Sequence, residues 1–299
     1  MIGNSLAGIY GIGAPPGDAW SSKATLPSPR FGLTATTVGT VIYAIAGRYD
    51  GTTRNTNYAY DTVANTWSTK TAMTAARNTP TAAAVGSTIY CIGGEFTVVE
   101  ATNYAYDTVA NTWSTKTAMT TAKSSLSATS AVISSSIYVI GGDDGAVVLN
   151  TNYAYDSVAN TWSTKATMTT ARTRLTTTAV GSVVYCIGGS DGIVGNVTTN
   201  EAYDSSTNTW STKTVMPTGR RGLCSSAMGT SIYAFGGTEI AKSDKNEAYD
   251  TVANTWTTKT PMPTAAYAAA AAAVGGTIYV IGGEGTVTPA FNLNQAYLV

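Results

Sequence analysis

Histidine does not occur in the chain. That removes the commonest general base, the commonest transition-metal ligand and every Ser-His or Cys-His nucleophile pair. No Gly-Lys-Ser/Thr phosphate loop is present, and the glycine pattern beginning at Gly8 lies outside any strand-helix-strand context. The groups left for chemistry are carboxylates and guanidinium groups. Glu95, Asp143 and Glu284 stand in polar loops that could converge, and a pair of such acids is the machinery of glycoside hydrolysis. The arginines sit in two settings. One set (Arg30, Arg77, Arg172 with Arg174, Arg220 with Arg221, and Lys123 in kind) lies in short segments between strand patterns, and Arg48 and Arg54 lie in a loop. Planar guanidinium forks beside acids suit a peptide or a glycan, so a binding surface is expected, with no cofactor and no metal.

Bulk charge points to no partner. Seventeen basic and seventeen acidic side chains cancel, and charged residues are 11% of the sequence, which argues against nucleic acid or an anionic membrane surface. No apolar run approaches the roughly 20 residues of a membrane span, so membrane insertion is not expected. Apart from the initiator, no charge precedes Asp18, so the start does not read as a secretory signal and synthesis in a cytosol is expected. Cys91, Cys186 and Cys224 lie in apolar stretches and are expected to be buried free thiols.

The elements that position these groups come from an internal repeat. Trp20, Trp67, Trp113, Trp162, Trp210 and Trp256 are 46 to 49 residues apart, with glycine pairs in step from Gly93-Gly94 to Gly282-Gly283; Ala46-Gly47 departs from the pair. One unit runs through Thr81 to Val85, a Gly-Ser turn, Thr-Ile-Tyr-Cys-Ile, a variable loop, Asn-Tyr-Ala-Tyr-Asp and Thr-Trp-Ser-Thr-Lys. Four short strands make one sheet too small to bury both faces, so the sheets must stack into a ring. A lysine three residues after each Trp, from Lys23 to Lys259, reads as a guard on the outermost strand. Asp61, Asp107, Asp156, Asp204 and Asp250 read as hairpin residues. The near identity of the units suggests recent duplication.

A glycine pair followed by a Tyr and a Trp separated by six residues (Tyr60 and Trp67, Tyr106 and Trp113, Tyr155 and Trp162, Tyr203 and Trp210, Tyr249 and Trp256) resembles the kelch repeat. The resemblance covers roughly residues 17–299 and implies an all-β, six-bladed propeller with four antiparallel strands per blade. Trp20 has no Tyr at that spacing, while Tyr297 has no Trp strand after it. Residues 17–30 and 266–299 are therefore expected to share the last blade and close the ring. Some kelch propellers resemble galactose oxidase, whose copper site needs histidines, so no oxidase is implied. In kelch adaptors, arginines of the links and second loops grip acidic peptides, and Arg48, Arg77, Arg172, Arg174 and Arg221 match them in kind. With the loop acids they make the candidate ligand set Arg48, Asp50, Arg77, Glu95, Asp143, Arg172, Arg174, Asp191 and Arg221. The variable loops 48–54, 95–100, 143–149, 190–199 and 238–245 are expected on one face as the binding surface.

Residues 1–16 lie outside the repeat and are apolar, glycine-rich and uncharged. They are similar to the short N-terminal peptides of tailed-bacteriophage virion proteins. That resemblance implies a virion component, anchored to other virion proteins through Ile2, Leu6, Ile9, Tyr10 and Ile12 and displaying its propeller to a host-surface glycan or protein. The alternatives are a microbial carbohydrate- or peptide-binding propeller, a cytoplasmic adaptor and, last, a carboxylate-dependent glycan-active enzyme.

Overall fold

The structure, a computed structural model, describes residues 17–125, 130–285 and 290–299; the proposed anchor residues of the leader lie outside these. Six four-stranded antiparallel sheets surround an axis. Blade 1 is Thr34–Val38, Val41–Ile45, Asn57–Asp61 and Thr66–Lys70, and blade 2 is Thr81–Val85, Thr88–Ile92, Asn103–Asp107 and Thr112–Lys116. Blades 3, 4 and 5 repeat this order from Ala131–Ile133, Thr176–Val180 and Cys224–Met228, each inner strand packing against the inner strands of its neighbours. Blade 6 takes Ala270–Val274, Thr277–Ile281 and Asn294–Leu298 from the end of the chain and its outermost strand, Ala19–Ser22, from the beginning. The ring therefore closes through the pairing of the first and last strands, and Trp20 finds its missing partner in Tyr297, directly opposite it.

The second strands read as continuous apolar runs, such as Val-Ile-Tyr-Ala-Ile and Thr-Ile-Tyr-Cys-Ile, because each sheet is covered on both faces by its neighbours. Ile42, Ile89, Ile137, Val184, Ile232 and Ile278 are fully buried, and six apolar clusters fill the six junctions between blades. Cys91, Cys186 and Cys224 lie in these clusters as free thiols, and burial pushes each up to about 12, so they are unreactive packing residues.

One clasp recurs at every junction. Within a blade, the Tyr60 hydroxyl donates to Asn65 Oδ1 at 2.7 Å, and its ring lies 4.9 Å from that of Trp67. Asn65 Oδ1 also accepts the Ala24 N–H of the preceding blade at 2.8 Å, and Trp67 Nε1 donates to the Ala24 carbonyl at 2.8 Å. A single residue past the end of each outermost strand is thus held at both its N–H and its C=O by the next blade. Asn111, Asn160, Asn208 and Asn254 repeat the arrangement with Trp113, Trp162, Trp210 and Trp256. All five asparagines adopt positive φ between 54° and 58°, which their short amide side chain tolerates. The preceding Asp of each Tyr-Asp pair accepts one or both of the N–H groups two and three residues on, so these carboxylates are hairpin caps as expected.

At the closing junction the asparagine is replaced by Asp18, with φ 60°. Its Oδ1 accepts the Tyr297 hydroxyl at 2.5 Å and the Thr260 N–H at 2.9 Å, and Trp20 Nε1 donates to the Thr260 carbonyl at 3.0 Å. The Tyr297 hydrogen bond, foremost, holds the Asp18 carboxyl below its ordinary value. A depressed carboxyl stabilises the fold above its unfolded value and loses that contribution as pH falls through its folded one. Asp18→Asn, which restores the residue of the other five junctions, should keep the ring closed at neutral pH, whereas Asp18→Ala should lower the melting temperature. The difference in melting temperature between the wild type and Asp18→Asn should shift against the wild type below about pH 4, as read by thermal denaturation across acid pH.

Candidate functional site

The strand order sends the links between blades and the loops joining second to third strands to the same face, and backbone bridges stitch them together. Phe31 pairs with Arg48, Asn78 with Glu95, Ser124 with Asp143, Thr173 with Ser190, Arg221 with Thr238 and Tyr267 with Glu284. The next link residue of each blade (Gly32, Thr79, Ser125, Arg174, Gly222 and Ala268) has φ between 49° and 61°. That conformation turns their amides along the circumference. Gly32 N–H donates to Ala268 O at 2.9 Å, Thr79 to Gly32 at 2.8 Å, Arg174 to Ser125 at 2.9 Å, Gly222 to Arg174 at 2.8 Å and Ala268 to Gly222 at 2.8 Å. The Ser125 N–H completes the circle on Thr79 Oγ1 at 3.1 Å. A hydrogen-bonded collar thus encircles the axis.

The collar rims a cavity of about 110 Å³ with an apolar floor of Leu33, Pro80, Leu175 and Leu223. Its wall carries Phe31, Tyr267, Asn78, Glu95 and Arg174. Gly222 and Gly32 leave room for neighbouring side chains: a Cβ on Gly222 would fall 2.1 Å from the Tyr267 ring, and one on Gly32 2.3 Å from Asn78 Oδ1, so either substitution would make that side chain move. Glu95 is anchored by Asn78 Nδ2 at 2.9 Å, whereas Arg174 is exposed and its guanidinium has no partner among the described residues. Below the collar the inner strands line an axial channel of about 290 Å³ with Ala, Thr and Ser.

Of the nine candidate ligand residues, Glu95 and Arg174 reach this mouth. Arg48 and Asp50 are exposed on the blade 1 loop, and Arg221 is half-buried beside the collar. Asp191 caps the amides of Ile193, Val194 and Gly195 within its own loop. Three readings need correction. Arg172 is fully buried, because Nη1 donates to Gly188 O at 2.7 Å and Nη2 to Glu201 Oε2 at 2.8 Å inside blade 4. Arg77 is 4% exposed and faces Glu100 at 3.5 Å. Asp143 spends both oxygens internally, on Ser124 at 2.9 Å and Thr173 at 3.0 Å. The side chains that sequence reasoning missed, Phe31, Asn78 and Tyr267, share one column of the repeat with Ser124, Thr173 and Arg221. That column carries six different residues and the position after it varies as well (Gly32, Thr79, Ser125, Arg174, Gly222 and Ala268), a signal visible on aligning the units.

Each of these loop carboxylates has a protein partner: Glu95 is held by Asn78, Asp143 by the hydroxyls of Ser124 and Thr173, and Glu284 by Lys242 at 3.1 Å. Among the described residues, no three His, Cys, Asp or Glu side chains gather closely enough to share a metal ion.

Beneath the mouth, Arg30, Arg77, Lys123, Arg172 and Arg220 form a layer of buried cations, one each in blades 1 to 5. In blades 4 and 5 the partner is a carboxylate, Glu201 at 2.8 Å and Glu247 at 2.6 Å. In blades 1, 2 and 3 the same strand position is Tyr58, Tyr104 or Tyr153, over which the cation lies at 4.7, 5.8 and 4.4 Å. Burial pushes the Lys123 ammonium down to about 7.

A closed ring of six four-stranded blades with a loop-lined axial mouth defines a six-bladed β-propeller. The chain matches the family described as the KLHDC2/KLHL20/DRC7 Kelch-repeats domain over residues 79–283 and the Kelch motif over residues 29–74, and it belongs to the kelch-repeat family. No curated protein sequence matches it. Among solved structures, one reported as "Structure of YjhT" superposes with a TM-score of 0.81 at 14% identity, covering 93% of this chain and 97% of that one. At that identity the likeness shows the fold alone.

Two outcomes follow for the buried layer. Glu201→Ala should destabilise the protein by about 3 kcal/mol or more, because it strands the Arg172 charge, and the double replacement Arg172→Leu/Glu201→Leu should cost less; chemical denaturation measures both. Between about pH 7 and the ordinary lysine value of 10.5, the unfolded chain holds a proton on Lys123 that the folded chain has released. Raising the pH through this window should therefore stabilise the wild type relative to Lys123→Met, seen as a widening gap in denaturation midpoint.

Proposed function

We propose that the protein is a non-catalytic recognition module whose ligand lies across the axial mouth, with one projecting group inserted among Phe31, Tyr267, Arg174 and Glu95. The observation that carries this reading is the contrast in satisfaction at the mouth. The acids are engaged by protein partners, whereas Arg174 offers an unengaged guanidinium at the rim of an apolar pocket flanked by two aromatic rings. A sugar face or an extended peptide stacks on such rings while its polar or anionic group meets the arginine. The cavity of about 110 Å³ admits a single group, so specificity beyond it falls to the loops above.

The finer assignment is display on a bacteriophage virion, with the leader held by other virion proteins and the mouth turned to a host-surface glycan or protein. It rests on the sequence of residues 1–16. The path of the chain is compatible with it: the outermost strand of blade 6 starts near Gly17, at the end of the blades opposite the mouth, so a tether there would leave the mouth facing outward.

Glycan and peptide arrays probed with the full chain should yield a saturable ligand whose affinity falls about tenfold or more in Arg174→Ala or Tyr267→Ala. Val63→Asp, at an exposed hairpin tip on the opposite face, should leave it unchanged. Equal loss in all three would sink the mouth as the binding site. Electron cryomicroscopy of virions containing the chain addresses the finer assignment, and a leader folded against its own propeller would overturn it.

A further inference from the structure

We propose that blade 1 carries an oxyanion-binding site, formed on the Arg54 guanidinium and backed by the buried charge of Arg30, at the outer side of the mouth.

Successive blades neutralise the same buried cation in different ways. Arg172 and Arg220 meet Glu201 and Glu247 on the third strand. Arg77 has a tyrosine there and meets instead Glu100, the residue whose carbonyl binds the next link amide, Lys123 N. Lys123 has neither acid, and an ammonium can answer by shedding its proton. Arg30 has Tyr58 on the strand and, at the place of Glu100, Arg54, whose carbonyl likewise binds the next link amide, Arg77 N. Blade 1 thus puts a second cation where blade 2 puts the counter-ion.

A guanidinium keeps its proton in a protein, so Arg30 cannot answer as Lys123 does, and among the described residues no carboxylate forms an ion pair with Arg30 or Arg54. Arg30 is fully buried; its Nη1 donates to Ala46 O at 3.1 Å and to Thr56 Oγ1, its Nε to Ser28 O at 3.3 Å, and its Nη2 has no partner. The charged groups acting on Arg30 include Arg54 and no carboxylate, and Arg54 Nε is buried without an acceptor. Arg54 itself is only half-buried and Arg48 beside it is exposed, so solvent reaches the outer face of the pair. An external carboxylate or phosphate oxygen pair matches such a fork and supplies the missing negative charge. This site lies on blade 1 and does not depend on the reading of the axial mouth.

Titration calorimetry of the full chain with inorganic phosphate, and separately with acetate, at constant ionic strength tests it. Saturable binding of either anion is expected, and the preferred one tells whether the tetrahedral or the planar oxyanion is favoured. Arg54→Glu, which copies Glu100, should weaken binding about tenfold or more while raising the melting temperature without added anion. Tyr58→Glu, which copies Glu201, should also weaken it and serves if the first variant does not fold. Val63→Glu, at the exposed hairpin tip on the opposite face, should leave binding unchanged. No saturable binding by the wild type, or undiminished binding in the blade 1 variants, overturns the proposal. Loss of binding in Arg174→Glu alone would place the anion in the mouth, overturning the blade 1 site while leaving the mouth reading intact.

Discussion

Each blade is held to the next by a tyrosine hydroxyl, a turn amide oxygen and an indole N–H that together grip one backbone unit of the preceding blade. No four-stranded sheet of this size is stable alone, and apolar packing between twisted sheets does not by itself set their angular spacing. The clasp does, because the Asn65 and Trp67 bonds to Ala24 can both form at only one relative position of two blades. Each bond contributes about 1 kcal/mol net, and the positioning matters more than the sum. Because the closing junction uses the same clasp, with Asp18 as acceptor, the ring closes as its other junctions do and leaves no blade unpartnered.

That rigidity explains the layer of cations under the mouth. Each link must turn from the outermost strand of one blade to the innermost strand of the next, and its carbonyls and those of the second strand converge there. A long cationic side chain satisfies several of these carbonyls at once, as Arg172 does with Gly188, Thr199 and Cys186. The structural demand for donors brings in a charge, and the charge then has to be neutralised. Carboxylates in blades 4 and 5, a more distant glutamate in blade 2 and a proton-releasing lysine in blade 3 are successive answers. Blade 6 avoids the question by placing Ala266 opposite Gln295.

Above this layer the collar of positive-φ residues sets Phe31, Asn78, Arg174 and Tyr267 around the mouth. Blades that are otherwise nearly identical therefore differ where a ligand would be met, with Phe31 and Tyr267 on one side and Asn78 with Glu95 on another. Recognition on a duplicated scaffold needs no new backbone, only substitution in this column and in the neighbouring loops.

The repeat, the number of blades, the four strands and the terminal closure are all legible in the sequence, because tryptophan spacing, turn residues and short apolar runs are local and recur. The hairpin caps and the buried thiols follow from the same local patterns. Which arginine is wall and which is site is not legible. Arg172 and Arg174 stand two residues apart in one link, yet one is sealed beneath the mouth and the other exposed at its rim. What separates them is the αL conformation of Arg174 within a collar closed by residues from six blades, and the pairing of Arg172 with Glu201, 29 residues away. Likewise Arg54 reads as one loop charge among many until the structure sets it where a neighbouring blade keeps an acid. The sequence by itself determined the scaffold, since that depends on near-neighbour preferences repeated six times. Only the tertiary structure decided which charges are buried and which are free at the mouth, since burial and charge neutralisation depend on what other blades bring to the same place.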